Sequence, residues 1–154
     1  NIIFHTAPMH DIGKIGIPDA VLMKQGSLDQ AEWEMTKTHC TLGAEILRHG
    51  SSPYVVMGAS IALHHHERWD GTGYPHGTAG ADIPLAARIT MLCDQYDALR
   101  SRRPYKPPFS HERTVEIITK GDGRTMPSHF DPDLLAAFVR SRARFDDIYN
   151  ANID

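Results

Sequence analysis

The chain has 154 residues, 41% of them hydrophobic, which suits one packed core and about one domain. Its 16 basic and 19 acidic residues leave a net charge of −3, which gives no overall electrostatic reason for a nucleic-acid or anionic-membrane partner. No stretch approaches the roughly 18 apolar residues of a membrane span and no signal-peptide pattern is present. Cys40 and Cys93 are too few for a disulfide framework, so a reducing cytoplasm is the expected compartment.

The chain opens with NIIFHTAPMHD and no initiating Met, so it is expected to be a piece of something longer. Ser27 and Gln30 fit a capping box ahead of LDQAEWEMTKTHCTLGAEIL, which is expected as one helix. Ser52 as cap and Pro53 at the first helical position open a second helix, PYVVMGASIALHHH. From Trp69 to Pro84, WDGTGYPHGTAGADIP holds four glycines and two prolines and must be a long loop of the kind that often carries function. Leu85, Ile89, Leu92, Cys93, Tyr96 and Leu99 then recur at helical spacing and predict a helix over roughly 85–100. Ser110 can cap HERTVEIITK, which Gly121 closes, and PDLLAAFVRSRARFDDIY starts after Asp131 with Pro132 at its first position. No segment alternates as a strand should. The expectation is an all-α, single-domain helical bundle over residues 1–154.

Ten histidines decide little by number; their spacing decides more. In HDIGK, Asp11 beside His10 offers a carboxylate able to bridge two cations, and Lys14 shares a face with His10 if the segment is helical. An isolated His-Asp pair is most often a helix-end acid beside a surface imidazole. Asp94 has Ala87, Met91 and Ala98 as its helical neighbours, so it points at apolar surface, where an unpaired charge needs a cation or donors. Asp97, by contrast, has Arg100 as a ready surface partner. His39, among Met35, Leu42 and Ile46, also faces inward, and alone it would read as a satisfied core histidine. Within His64, His65 and His66, positions two apart on a helix differ by about 200°. At most two adjacent members converge. Glu67 and Arg68 give His64 a polar neighbourhood, which selects His65 and His66 as the inward pair.

Imidazoles from His10, His39, His65 and His66 and carboxylates from Asp11 and Asp94 form a mixed nitrogen and oxygen set suited to first-row divalent metals. These six exceed what one open catalytic metal needs. Two ions about 3.5–4 Å apart, bridged by Asp11, fit better and are a known solution for hydrolysing phosphate esters.

Five segments, HDIGKIGIPD (10–19), MTKTHCTLGAEIL (35–47), HHERWDGTGYP (65–75), ADIPLAARITMLCDQYDALRSRRPYK (81–106) and HFDPDLLAAF (129–138), occur in the order found in one family. The sequence resembles an HD-GYP domain, a branch of the HD-domain metal-dependent phosphohydrolases, with the family's N-terminal helices missing. The resemblance implies a centre of two or three divalent ions, iron or manganese, that hydrolyses the bacterial second messenger cyclic di-GMP to linear pGpG or GMP. It places the metal ligands on His10, Asp11, His39, His65, His66 and Asp94, the six that the residue reading selects. It sets Lys14 beside the metal-bridging water or the phosphate, so that Asp11 and Lys14 carry catalysis. Lys14, Tyr74, Arg103 and Lys106 match positions that contact the dinucleotide, and RSRRPYK is a local basic run whose guanidinium forks suit phosphate.

A further family histidine, and in trinuclear members a glutamate, falls upstream of Asn1, so this chain is expected to be inactive if that ligand is absent. Met9, the residues before Asp94 and the lengthened GRTMPSHFDP depart from the family pattern as packing and loop changes. His5, His49, His76, His111 and His129 have no matching role and are expected at the surface or behind the ligands. Expected partners are cyclic di-GMP, other signalling domains docked on the Gly-Tyr-Pro loop, and a second copy in a homodimer; nucleic acid is not expected. The alternatives to a cyclic di-GMP phosphodiesterase are a regulatory module without catalysis and a hydrolase of another cyclic dinucleotide.

Overall fold

The structure, a computed structural model, describes residues 2–102 and 107–152, and all regular structure among them is helical. Arg103 and Lys106 lie outside the described residues. The helices in chain order are α1 (Ile2–Thr6), α2 (Asp19–Leu22), α3 (Gln30–Lys37), α4 (His39–Leu47), α5 (Pro53–His64), α6 (Leu85–Arg100), α7 (His111–Lys120) and α8 (Pro132–Ala151). Short 3₁₀ turns occupy Ala7–Met9, Ile12–Gly16, Gly80–Asp82 and Pro127–His129. No helix among the described residues is long and apolar enough to cross a membrane.

Several helix starts fall where their caps predict. The Ser52 hydroxyl accepts from Tyr54 N with Pro53 at the first position, Ser110 accepts from Arg113 N, and Asp131 accepts from Asp133 N and Leu134 N ahead of Pro132. Two expectations are corrected. The cap of α3 is Asp29 rather than Ser27: its carboxylate accepts from Glu32 N while the Glu32 carboxylate accepts from Asp29 N, closing a box two residues later. The single helix expected through residue 47 is two, because the chain breaks at Thr38. There the Thr38 hydroxyl bonds the Met35 carbonyl at 2.6 Å, so a side chain competes for a group that helix propagation would use.

The apolar core lies between α6, α7 and α8. Leu92, Tyr96 and Leu99 of α6 meet Ile117 and Ile118 of α7, Phe138 of α8, and Phe130 just before α8. The rings of Phe138 and Phe145 are edge to face at 4.9 Å, a favoured aromatic geometry. Arg100 does not pair with Asp97 as expected. It crosses to α8, where its guanidinium donates to Asp146 at 2.7 Å and lies over the Tyr149 ring. Asp97 accepts from the Ser101 hydroxyl instead. In the other half, α4 and α5 pack on each other, α4 also on the Ile12–Gly16 turn, and α5 on the Ala7–Met9 turn, α1 and α6. The candidate site lies in that half.

Candidate metal centre

Three of the four inward imidazoles, those of His10, His39 and His65, are aimed by the same local device. A helical turn leaves its last carbonyls without intrahelical partners. His10 Nδ1 lies 2.7 Å from the Ala7 carbonyl, His39 Nδ1 2.6 Å from that of Thr36, and His65 Nδ1 2.9 Å from that of Ala62, in every case three residues back. A carbonyl only accepts, so each Nδ1 carries a proton, and it is Nε2 of each ring that turns inward, as a lone pair wherever the ring is neutral. The break at Thr38 thus has a role, since it ends α3 where Thr36 can receive His39. His65 is the C-cap of α5 and His66 follows the helix, so the turn rather than a continued helix sets the direction of His66. His64 stays outside, bonded to the Ser60 carbonyl.

The Nε2 atoms converge on Asp11. Its Oδ2 lies 3.3 Å from His10 Nε2 and 2.5 Å from Lys14 Nζ, while Oδ1 lies 3.4 Å from His39 Nε2 and 3.8 Å from His65 Nε2. One carboxylate therefore faces two groups of nitrogens, one through each oxygen. Gly13 permits this, because a Cβ there would collide with the His39 carbonyl oxygen and with Gly43 N as the 3₁₀ turn crosses α4. Asp94 reaches the same place from α6, with Oδ1 3.7 Å from His10 Nε2. It is only partly shielded, against the expectation that it points at apolar surface, because its carboxylate faces His10.

Burial opposes ionisation of Asp11, yet His10, His65 and Lys14 outweigh it and hold the carboxyl well below its usual range. Burial and its neighbours His65 and His39 push His66 down to about 2, so this ring is neutral. His39 is likewise lowered, chiefly by burial. His10 moves the other way: burial opposes its charge, but Asp11, the Ala7 carbonyl and Asp94 raise it.

These groups fit a bound cation. His39 and His65, each 1% exposed, bring Nε2 atoms 3.3 Å apart, and with both protons held at Nδ1 the two lone pairs face each other. Asp11 Oδ1 is buried beside them with no hydrogen-bond partner. Buried acceptors gathered without a donor are costly, and a positive ion satisfies them all. His10, Asp11 and His65 form one group able to hold a metal, and His39, Cys40, His65 and His66 form another.

The Gly-Tyr-Pro loop closes one side. Tyr74 N donates to the His66 carbonyl at 3.1 Å, His76 N donates to the buried Glu67 carboxylate at 2.8 Å, and Asp70 accepts from Thr72 and Ser128. Gly73 lets the loop return against its own start, since a Cβ would meet the His66 carbonyl oxygen and Arg68 N. The Tyr74 ring lies 4.8 Å from that of His66 and 5.8 Å from that of Trp33, with Lys37 Nζ over its face. Trp33, Lys37 and Cys40 escape the sequence reading. Trp33 and Lys37 sit four apart on α3, and that shared face is the signal that could have found them. Of the histidines without a matching role, His129 is buried beside Asp70 and His111 lies 2.9 Å from the Tyr96 hydroxyl oxygen.

An HD domain model matches residues 3–134. The chain is 46% identical over 149 residues to a cyclic di-GMP phosphodiesterase of Vibrio cholerae, covering 94% of this chain and 30% of that protein. It is 43% identical over 148 residues to a cyclic di-GMP phosphodiesterase of Thermotoga maritima, covering 96% of this chain and 39% of the relative. A 3'3'-cGAMP-specific phosphodiesterase 2 of Vibrio cholerae is 41% identical over 135 residues, 88% of this chain and 25% of that protein. The chain thus spans well under half the length of these curated relatives.

Proposed function

This chain belongs to the HD-domain family, as an HD-GYP domain, and we propose that it is the catalytic part of a metal-dependent phosphodiesterase that hydrolyses cyclic di-GMP to linear pGpG or GMP. The observation that carries the reading is Asp11, whose Oδ2 faces His10 while its Oδ1 faces His39 and His65, two rings whose Nε2 atoms are themselves opposed. His10, Asp11 and Asp94 would hold one ion and Asp11, His39, His65 and His66 a second, with iron or manganese the metals proposed. Divalent ions there supply Lewis acidity and lower the pKa of water towards neutrality.

The chain's own residues do the rest. Asp11 keeps its negative charge between the nitrogen sets and accepts from the Lys14 ammonium, which is partly open to solvent and so can meet a phosphate oxygen as charge develops. Tyr74, held against His66 by the loop, is proposed to stack on or bond a nucleotide beside the reacting phosphate, and its ring contact with His66 supports that role. Arg103 and Lys106 are proposed to bind the second phosphate through charge.

Asp11→Asn and His66→Ala in the full-length protein test this. Loss of bound metal with at least a roughly hundredfold fall in cyclic di-GMP turnover is expected. Unaltered turnover with metal supplied would sink the assignment. The cGAMP-specific relative supports a second reading, in which the same centre cleaves a mixed cyclic dinucleotide. Rates on both substrates decide between them.

A further inference from the structure

Beside the imidazoles lies a group that the proposed chemistry does not use. Cys40 is 0% exposed, and its Sγ is 3.6 Å from His39 Nε2. The ligand atoms of Cys40, His39, His65 and His66 all lie within 4.8 Å of one another. A tetrahedral ion with ordinary metal–nitrogen and metal–sulfur bonds sets two nitrogens roughly 3.3 Å apart and a nitrogen and a sulfur roughly 3.6 Å apart. The His39–His65 separation of 3.3 Å and the His39–Cys40 separation of 3.6 Å match both edges. In the absence of an ion, burial and the Asp11 and Glu67 carboxylates push the Cys40 thiol up to about 12, so the proton would leave only in exchange for the metal.

We infer that Cys40 is a thiolate ligand that joins Asp11, His39, His65 and His66 at the second position, which makes that position a nitrogen- and sulfur-rich site selective for a soft or borderline cation such as zinc. The inference rests on the metal-centre reading above and adds a chemical inequality within it. The position at His10, Asp11 and Asp94 offers mainly oxygen and keeps the manganese or ferrous iron proposed above, whereas a thiolate would shift the second position from those metals towards zinc. On binding, the S–H bond is exchanged for a sulfur–metal bond and the proton leaves to water; no electron moves.

Cobalt(II) titration of the reduced full-length protein tests it. A thiolate-to-cobalt charge-transfer absorption is expected in the near ultraviolet alongside the visible ligand-field bands. Cys40→Ala and Cys40→Ser should lose the first and keep the second, while Cys93→Ser keeps both. Preference for zinc over manganese should fall by at least about tenfold in the Cys40 variants. Ligand-field bands without charge transfer in the wild type, or charge transfer that survives Cys40→Ala, overturns the inference and leaves the metal centre standing. No cobalt bound at all overturns the centre and the inference together. Should the variants fail to fold, cadmium-113 resonance of the wild type still decides, because a sulfur ligand moves the signal far downfield of a nitrogen and oxygen site.

Discussion

α6 borders two interiors that are held together in different ways. Leu92, Tyr96 and Leu99 face α7 and α8, where nearly all contacts are apolar or aromatic. Asp94, on the same helix, faces His10 in a half whose best buried side chains include His39 and His65. The apolar half gains its stability from surface removed from water. In the metal half, backbone carbonyls aim the imidazoles, and the result is a cluster of acceptors that a cation completes. Stability and the proposed metal chemistry are therefore divided along one helix and should respond to different perturbations.

The largest effect should come from breaking the apolar side. Phe138 is 2% exposed and lies against Tyr96 and Phe145, so Phe138→Ala removes a ring from a core with no water to replace it. A loss of about 3–5 kcal/mol in chemical denaturation is expected. In the fraction that remains folded, metal bound per chain should be unchanged. A parallel loss of metal would show that the two interiors are not separable.

Next comes the metal side. Ions that bind only the folded chain should raise its stability by about 2.7 kcal/mol at a hundredfold excess over the dissociation constant. Asp11→Asn should abolish that gain, as measured by thermal unfolding with and without manganese, and a chelator should return the wild type to its metal-free midpoint. A variant that still gains stability would remove Asp11 from the centre.

The two halves also differ in what their sequences disclose. The caps at Ser52, Ser110 and Asp131 are legible because each is a local bond between a side chain and the next turn. The helix over Leu85–Arg100 is legible from its apolar spacing. The break at Thr38 is not, because a threonine hydroxyl on its own backbone leaves the apolar period intact, and helix spacing reads straight through it. His65 and His66 emerge as the inward pair from helical angles, although α5 ends at His64 and a turn makes the final placement. Asp97 and Arg100 show the opposite failure: their spacing suits a pair, but Tyr96, Tyr149 and Asp146 give the guanidinium a better site across the core. Cys40 is hidden by its type, since a single cysteine reads as a small apolar residue until neighbouring imidazoles are located.

A smaller change sharpens the division from the apolar side. The Ser110 hydroxyl accepts from Arg113 N at 3.2 Å, and α7 delivers Ile117 and Ile118 to the core. Ser110→Ala should cost about 1 kcal/mol. The stabilisation gained on adding metal should be identical to that of the wild type, because this cap serves α7 and the apolar core it feeds. A reduced gain would mean that fraying of α7 reaches α6 and Asp94.

The smallest effect belongs to Asp146, at the rim of the apolar half. Its carboxyl is lowered first by the hydrogen bond from Arg100, against the opposing effect of desolvation, and further by the charges of Arg100 and His111. The groups facing it are Arg100 at 2.7 Å and His111 at 4.0 Å, with Tyr96 and Tyr149 around the guanidinium. Because the folded-state value lies below the unfolded one, the pair stabilises the fold fully above the ordinary carboxylate range. That contribution is lost as pH falls through the lowered value. Asp146→Asn should therefore melt slightly below the wild type at neutral pH, and the gap should close in acid. Since this carboxylate meets solvent, added salt should also narrow the gap at neutral pH, through screening. A gap that persists in strong acid would assign the difference to packing of α8 rather than to charge, and would make this rim an extension of the apolar core.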